Sequence, residues 1–176
     1  VVHLVEGEGG MTPGRLSEAF AAASSMCLHN IIMHIDFNQA SIDSNRVCRD
    51  GELRGDYVQW DPAELAYLHD FNVILVDDGK DHNKCIAAQA FAKQLNNGMP
   101  TAIIYRTIKG WQYGIEGKGS HGAGHKFCSP EYYNFLSTFE NTFGVKMPVF
   151  IAKNTTELKN EFGQLVPQFE GDWNRI

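Results

Sequence analysis

Val1-Val2-His3-Leu4-Val5-Glu6-Gly7-Glu8-Gly9-Gly10 opens the chain with an apolar run that breaks on a glycine-rich turn. A short aliphatic run stopped by glycine reads as a strand, here residues 1–5, delivered into a tight turn. The period then changes. From Gly14 to about His29, Leu16, Ala19, Phe20, Ala23 and Cys27 recur at intervals of three and four, the inward stripe of a helix. Residues 31–35 return to nearly unbroken apolar character, which suits a strand covered on both faces.

The alternation continues outward. Residues 36–57 are polar and irregular, and Asp61-Pro62 is a helix start with Asp as cap and Pro at the first helical position, Leu65 and Leu68 supplying the apolar face. Residues 73–76 form a third strand ended by Asp77-Asp78-Gly79. A helix runs from about Asn83 to Leu95 with Ile86, Ala90 and Phe91 inward, and residues 101–105 form a fourth strand. Residues 106–129 carry six glycines and are too long for an ordinary connection. Ser129-Pro130 starts a helix reaching about Phe143, with a strand expected over 148–152 and a short helix over 155–161. Strands alternating with helices predict an α/β fold, a parallel sheet flanked by helices, in one domain over 1–176.

The chain has 176 residues, 43% apolar and 20% charged, the balance of a globular domain able to bury a core without disulfide or metal staples. Acidic side chains number 21 against 15 basic ones, and no Lys/Arg block occurs, which argues against nucleic acid or an anionic membrane as partner. No apolar run approaches a membrane span. The four cysteines (Cys27, Cys48, Cys85, Cys128) form no CxxC pair and are expected as reduced thiols in the cytoplasm. An opening on Val1, directly into a strand, reads as a piece of something longer or a processed subunit.

In parallel α/β sheets, ligands sit beyond the carboxyl ends of the strands. Three polar or glycine-rich stretches, 6–10, 36–43 and 106–125, are expected to converge there. Gly7-Glu8-Gly9 places one carboxylate between residues without side chains, where backbone N–H groups can approach a phosphate while Glu8 holds a cation. It fits neither the dinucleotide nor the P-loop glycine pattern. Asn38 offers a neutral oxygen, and few carboxylates among neutral oxygens suit magnesium completed by phosphate. Each segment alone equally fits an ordinary turn.

Gly7-Glu8-Gly9 followed thirty residues beyond Glu8 by Asn38, with Ser41-Ile42-Asp43 after it, resembles the thiamine-diphosphate motif of transketolases. Gly14-Arg15-Leu16-Ser17-Glu18-Ala19, Asp77-Asp78-Gly79-Lys80-Asp81, Thr107-Ile108-Lys109-Gly110 and Ser120-His121-Gly122-Ala123 resemble further family motifs in the same order, over about residues 1–127. The resemblance implies that Glu8, Asn38 and the Ala40 carbonyl bind Mg2+ (or Ca2+ or Mn2+) bridging to the diphosphate of thiamine diphosphate. It implies that Gly7 and Gly9 admit the phosphates, that Asp36 and Ile42 shape the loop, and that His121 faces the thiazolium end and handles protons or charge on the donor sugar. The resemblance leaves residues 145–176 unassigned.

Two positions depart from the pattern. Glu8 stands where the family has aspartate, a longer reach of roughly 1.5 Å, and Pro13 stands where it usually has the glutamate that couples two active sites. The family's pyrimidine-binding domain, which supplies the carboxylate activating the cofactor, has no counterpart here. The expected partners are that domain or subunit, sugar phosphates, and a homodimeric or split-subunit assembly. The function implied is the diphosphate-binding part of an enzyme that moves two-carbon ketol units between sugar phosphates. A deoxyxylulose-phosphate synthase-like enzyme is a sibling reading, since residues 10–14 and 121–124 share some of its character. A 2-oxo-acid dehydrogenase component fits less well. Glu8 and Pro13 motivate a non-catalytic binding or assembly module, and a phosphate hydrolase using Asp36 or Asp77 is a third class.

Overall fold

The aliphatic runs pair as four parallel strands: β1 (Val2–Gly7), β2 (Ile31–Phe37), β3 (Asn72–Val76) and β4 (Thr101–Arg106), in the order β1-β2-β4-β3. This is a computed structural model that describes residues 1–40, 58, 60–117, 124–126, 129–147, 149–151, 154 and 156–164. The helices are α1 (Gly14–Ser25), α2 (Pro62–Leu68), α3 (His82–Ala92) and α4 (Pro130–Phe143), with a 3-10 turn over Glu8–Met11 and a further helix over 156–164.

Both faces of the sheet are covered, as the unbroken apolar run in β2 requires. Met33, Ile35, Ala102 and Ile104 form one core with Phe20 and Ala23 of α1 and with Ala66 of α2. Ile32, Ile103 and Val76 form another with Ala88 and Ala92 of α3. The central strands β2 and β4 keep Ile35, Ala102 and Ile103 at 0% exposure. The edge strand β1 is exposed from Val2 to Val5. On β1 and β2, His3 Nδ1 meets His34 Nε2 at 2.8 Å, and His34 Nδ1 reaches the Tyr105 hydroxyl of β4 at 2.8 Å.

Several helix faces differ from the sequence reading, and for a common reason. α3 lies against the sheet through Ala88 and Ala92, while Ile86 and Phe91 point to the surface and Ala90 is exposed. Small side chains let the helix axis approach the strands, so residue size, not hydropathy alone, selects the inner face. In α2, Ala66 is wholly buried while Leu68 is 73% exposed. α1 stops at Ser25, short of His29, because Cys27 adopts φ +53 and turns the chain; Cys27 is exposed, and so is Ala19 within the helix. Residues 149–151 are not a strand. Two helix starts match the sequence expectation: the Asp61 carboxylate accepts from Ala63 N at 2.8 Å, and the Ser129 hydroxyl accepts from Tyr132 N at 3.2 Å.

By contacts the chain forms two compact units, 1–109 with 116–121, and 110–115 with 122–176. In the second, α4 ends at Gly144, whose φ of +67 is the left-handed conformation that glycine adopts without penalty. His125 donates its backbone N–H to the Tyr113 hydroxyl at 2.8 Å and places its ring Nε2 2.6 Å from the Tyr113 carbonyl.

Candidate functional site

Because β1, β2 and β4 are parallel neighbours, the turns leaving them share one edge of the sheet. The turn after β1 begins the 3-10 segment with Glu8, whose side chain is only 2% exposed. Its Oε2 accepts a hydrogen bond from the backbone N–H of Asn38 at 3.3 Å, across thirty residues of sequence. Burial pushes the Glu8 carboxyl above the usual carboxylate range, and the negative charge of Asp36 adds to the push. Backbone N–H groups, first that of Glu8 itself and then those of Asn38 and Gln39, pull the other way without prevailing.

The first residues beyond β2, 38–40, are held by side-chain hydrogen bonds from Asp36, near the end of the strand, and from Asn38. Asp36 Oδ2 accepts from Asn38 Nδ2 at 2.8 Å, and Asn38 Oδ1 accepts from the Ala40 backbone N–H at 2.8 Å. The carboxamide therefore turns its nitrogen edge to Asp36 and its oxygen edge to the loop backbone. One of the two Oδ1 lone pairs is used, which leaves the other for a ligand. Gln39, fully buried, sits at φ +58, a left-handed conformation costing roughly 1–3 kcal/mol in a residue other than glycine. Ala40 is buried at 8% exposure.

Gly7 and Asp36, near the ends of β1 and β2, thus share one edge of the sheet with Glu8, Gly9, Asn38 and Ala40 in the turns beyond them. Ile42 and His121 lie outside the described residues. Sequence reasoning gave no role to Arg106, which follows from strand register: Arg106 pairs with Phe37, donates from Nη1 to the Phe37 carbonyl at 3.2 Å and lies over its ring at 5.0 Å. Among the described residues no three His, Cys, Asp or Glu side chains gather as a metal cluster.

Gly7 is informative by what does not require it. Its φ of −93° and ψ of 159° are open to any residue, and a Cβ there would meet only the Asp36 carbonyl, at 3.9 Å. Neither backbone conformation nor packing within the protein calls for glycine at this position.

The family model described as "Transketolase, thiamine diphosphate binding domain" matches residues 1–161. The chain belongs to that family. The match extends past residue 127, where the sequence motifs ended, and takes in α4. A transketolase from Physarum polycephalum is 29% identical over 178 residues, covering 99% of this chain and 25% of that protein. Among solved structures, a mutant transketolase from Pichia stipitis superposes with a TM-score of 0.65 at 20% identity, covering 98% of this chain and 24% of that one. The Campylobacter jejuni transketolase gives 0.62 at 19% identity, covering 97% and 26%. These likenesses establish the shared fold, and this chain spans about a quarter of the length of such relatives. Among the described residues, no helix is long and apolar enough to cross a membrane.

Proposed function

We propose that this chain holds the diphosphate end of thiamine diphosphate through a divalent cation, as part of a transketolase-type enzyme moving two-carbon ketol units between sugar phosphates. The observation that carries the reading is the Glu8 carboxylate lying against the Asn38 backbone, which brings the two ends of the motif to one place. A buried carboxylate costs free energy unless a cation or hydrogen bonds compensate. Glu8 has the hydrogen bonds, yet its proton affinity stays raised, the condition a bound dication would relieve.

The donor set is a carboxylate from Glu8, the unused Oδ1 lone pair of Asn38 and the backbone carbonyl of Ala40. It is all oxygen, mostly neutral and short of a full shell, which suits Mg2+ completed by phosphate oxygens, with Mn2+ or Ca2+ as substitutes. Gly7 and Gly9 leave the backbone bare where the phosphates approach. Once bound, the cofactor supplies the carbon nucleophile and electron sink that ketol transfer needs. This chain's residues orient the phosphates, and His121 holds or moves a proton at the donor sugar. Asp36 and Ile42 shape the loop around the cofactor. Glu8 starts the 3-10 turn, and from there its side chain reaches the backbone of the second loop.

The remaining quarters of a full-length relative would supply the pyrimidine-binding domain, in the same chain or a partner subunit, and a dimer would complete the site. A Pichia stipitis transketolase has been solved in complex with sedoheptulose-7-phosphate, which supports sugar phosphates as the substrate class. Calorimetric titration with thiamine diphosphate, with and without Mg2+, tests the reading. Binding that requires Mg2+ is expected. No heat at millimolar cofactor, even beside a pyrimidine-domain partner, would favour the non-catalytic module suggested by Glu8 and Pro13.

A further inference from the structure

The orientation of Asn38 is set from a third strand. Thr107, just beyond β4, donates its hydroxyl to Asp36 Oδ1, while the other oxygen of that carboxylate accepts from Asn38 Nδ2 at 2.8 Å. The Thr107 backbone N–H donates to the Phe37 carbonyl at 3.3 Å, so the residue is tied to the exit of β2 at two points. Its methyl is held from the far side. A Cβ on Gly79, in the turn after β3, would lie 2.6 Å from Thr107 Cγ2 and 3.0 Å from the Arg106 carbonyl, so only glycine leaves that space. Gly79 also donates its N–H to the Arg106 carbonyl at 2.7 Å.

We propose that Thr107 is a positioning residue for the cation site: it fixes the Asp36 carboxylate, and through it the amide orientation that turns Asn38 Oδ1, rather than Nδ2, toward the ligand. The proposal rests on the reading of Asn38 as a cation ligand. A carboxamide is nearly symmetric in shape but opposite in chemistry at its two ends, and an inverted Asn38 would present N–H donors to a dication. A carboxylate is an acceptor only, so a fixed Asp36 can receive the nitrogen edge alone. Hydrogen-bond partners behind a metal ligand are commonly worth about 10- to 100-fold in affinity.

Three forms of the protein separate the hydroxyl from the packing. Thr107→Val keeps the shape facing Gly79 and removes the donor, and Thr107→Ser keeps the donor and removes the methyl. Calorimetric titration with thiamine diphosphate and Mg2+ is expected to show about 10-fold weaker binding for Thr107→Val, with Thr107→Ser close to the unsubstituted protein. In the cofactor-free protein, the Asn38 side-chain amide signals in an NMR spectrum are expected to broaden or move in Thr107→Val and to stay in place in Thr107→Ser. Equal affinity in Thr107→Val, equal losses in both variants, or an unmoved Asn38 amide would each overturn the proposal. If the unsubstituted protein binds no cofactor, the cation-site reading falls instead, and the amide signals still decide whether Thr107 orients Asn38.

Discussion

Replacing Glu8 by Gln changes one charge and almost no volume, and the structure predicts little consequence without ligand and a large one with it. In the cofactor-free protein the carboxylate is 2% exposed, beside Asp36, with its pKa raised chiefly by burial. An amide keeps an acceptor for the Asn38 N–H and removes both the desolvation cost and the repulsion. It also weakens that hydrogen bond, which is worth about 1 kcal/mol more with a charged acceptor than a neutral one. These effects offset, so the cofactor-free stability of Glu8→Gln is expected within about 1 kcal/mol of the unsubstituted protein. With ligand, the variant leaves the dication without its buried anionic partner. Breaking a buried charge pair costs about 3–5 kcal/mol, a loss of 100-fold or more in affinity. Thermal or urea unfolding with and without Mg2+–thiamine diphosphate reads both numbers. At 100 times its dissociation constant the ligand should stabilise the unsubstituted protein by about 2.7 kcal/mol. At that concentration Glu8→Gln, bound 100-fold more weakly, should gain about 0.4 kcal/mol or less. Equal stabilisation of both proteins would refute the reasoning. So would a cofactor-free variant several kcal/mol less stable, which would make Glu8 a structural group.

Other outcomes follow from the same geometry. Because the Glu8 pKa is raised in the fold, its contribution to cofactor-free stability is present below the ordinary carboxylate pKa and is lost as pH rises through the raised value. Cation binding needs the charged form, so Mg2+-dependent affinity should rise over that interval, a dependence calorimetry at several pH values would show and Glu8→Gln should abolish. His34 has its pKa lowered by burial and by His3, so its contribution to stability is present above the ordinary histidine pKa and is lost as pH falls through the lowered one. Urea titrations below neutrality should show a smaller acid loss in His34→Gln than in the unsubstituted protein. Phe20 is 3% exposed and stacks on Phe71 with centroids 4.5 Å apart, so Phe20→Ala should cost about 3–5 kcal/mol in urea unfolding. The Asp81 carboxylate caps α3 by accepting from Asn83 N at 2.9 Å and Lys84 N at 3.3 Å, and Asp81→Ala should cost about 1 kcal/mol by the same assay.

The parallel sheet was legible because its central strands are buried on both faces and therefore read as unbroken aliphatic runs. β2 is the clearest case, with Ile32, Met33 and Ile35 all at 3% exposure or less. Helix starts were equally plain, since Asp61 and Ser129 cap through their own side chains and each precedes a proline. Helix faces were harder. Ile86 and Phe91 have the stronger hydropathy, but Ala88 and Ala92 allow close approach to the sheet, and that preference depends on a neighbour absent from the local sequence. At the site, Glu8 and Asn38 could be paired from sequence because each follows the end of a strand and the spacing has a family precedent. Arg106 could not, and Thr107, though it opens a family-like motif, gave no sign of its contact with Asp36, since both depend on how the end of β4 lies beside β2.

The proposed function requires one cation shared by two loops. Anomalous diffraction from crystals of the protein grown with Mn2+ and thiamine diphosphate tests this directly, because Mn2+ replaces Mg2+ at oxygen sites and can be located by its own scattering. The expected result is a single manganese peak bounded by the Glu8 carboxylate, the Asn38 side-chain oxygen and the Ala40 carbonyl, with the diphosphate on its open side. A peak elsewhere on the protein, or cofactor bound with no metal between the turns after β1 and β2, would contradict it.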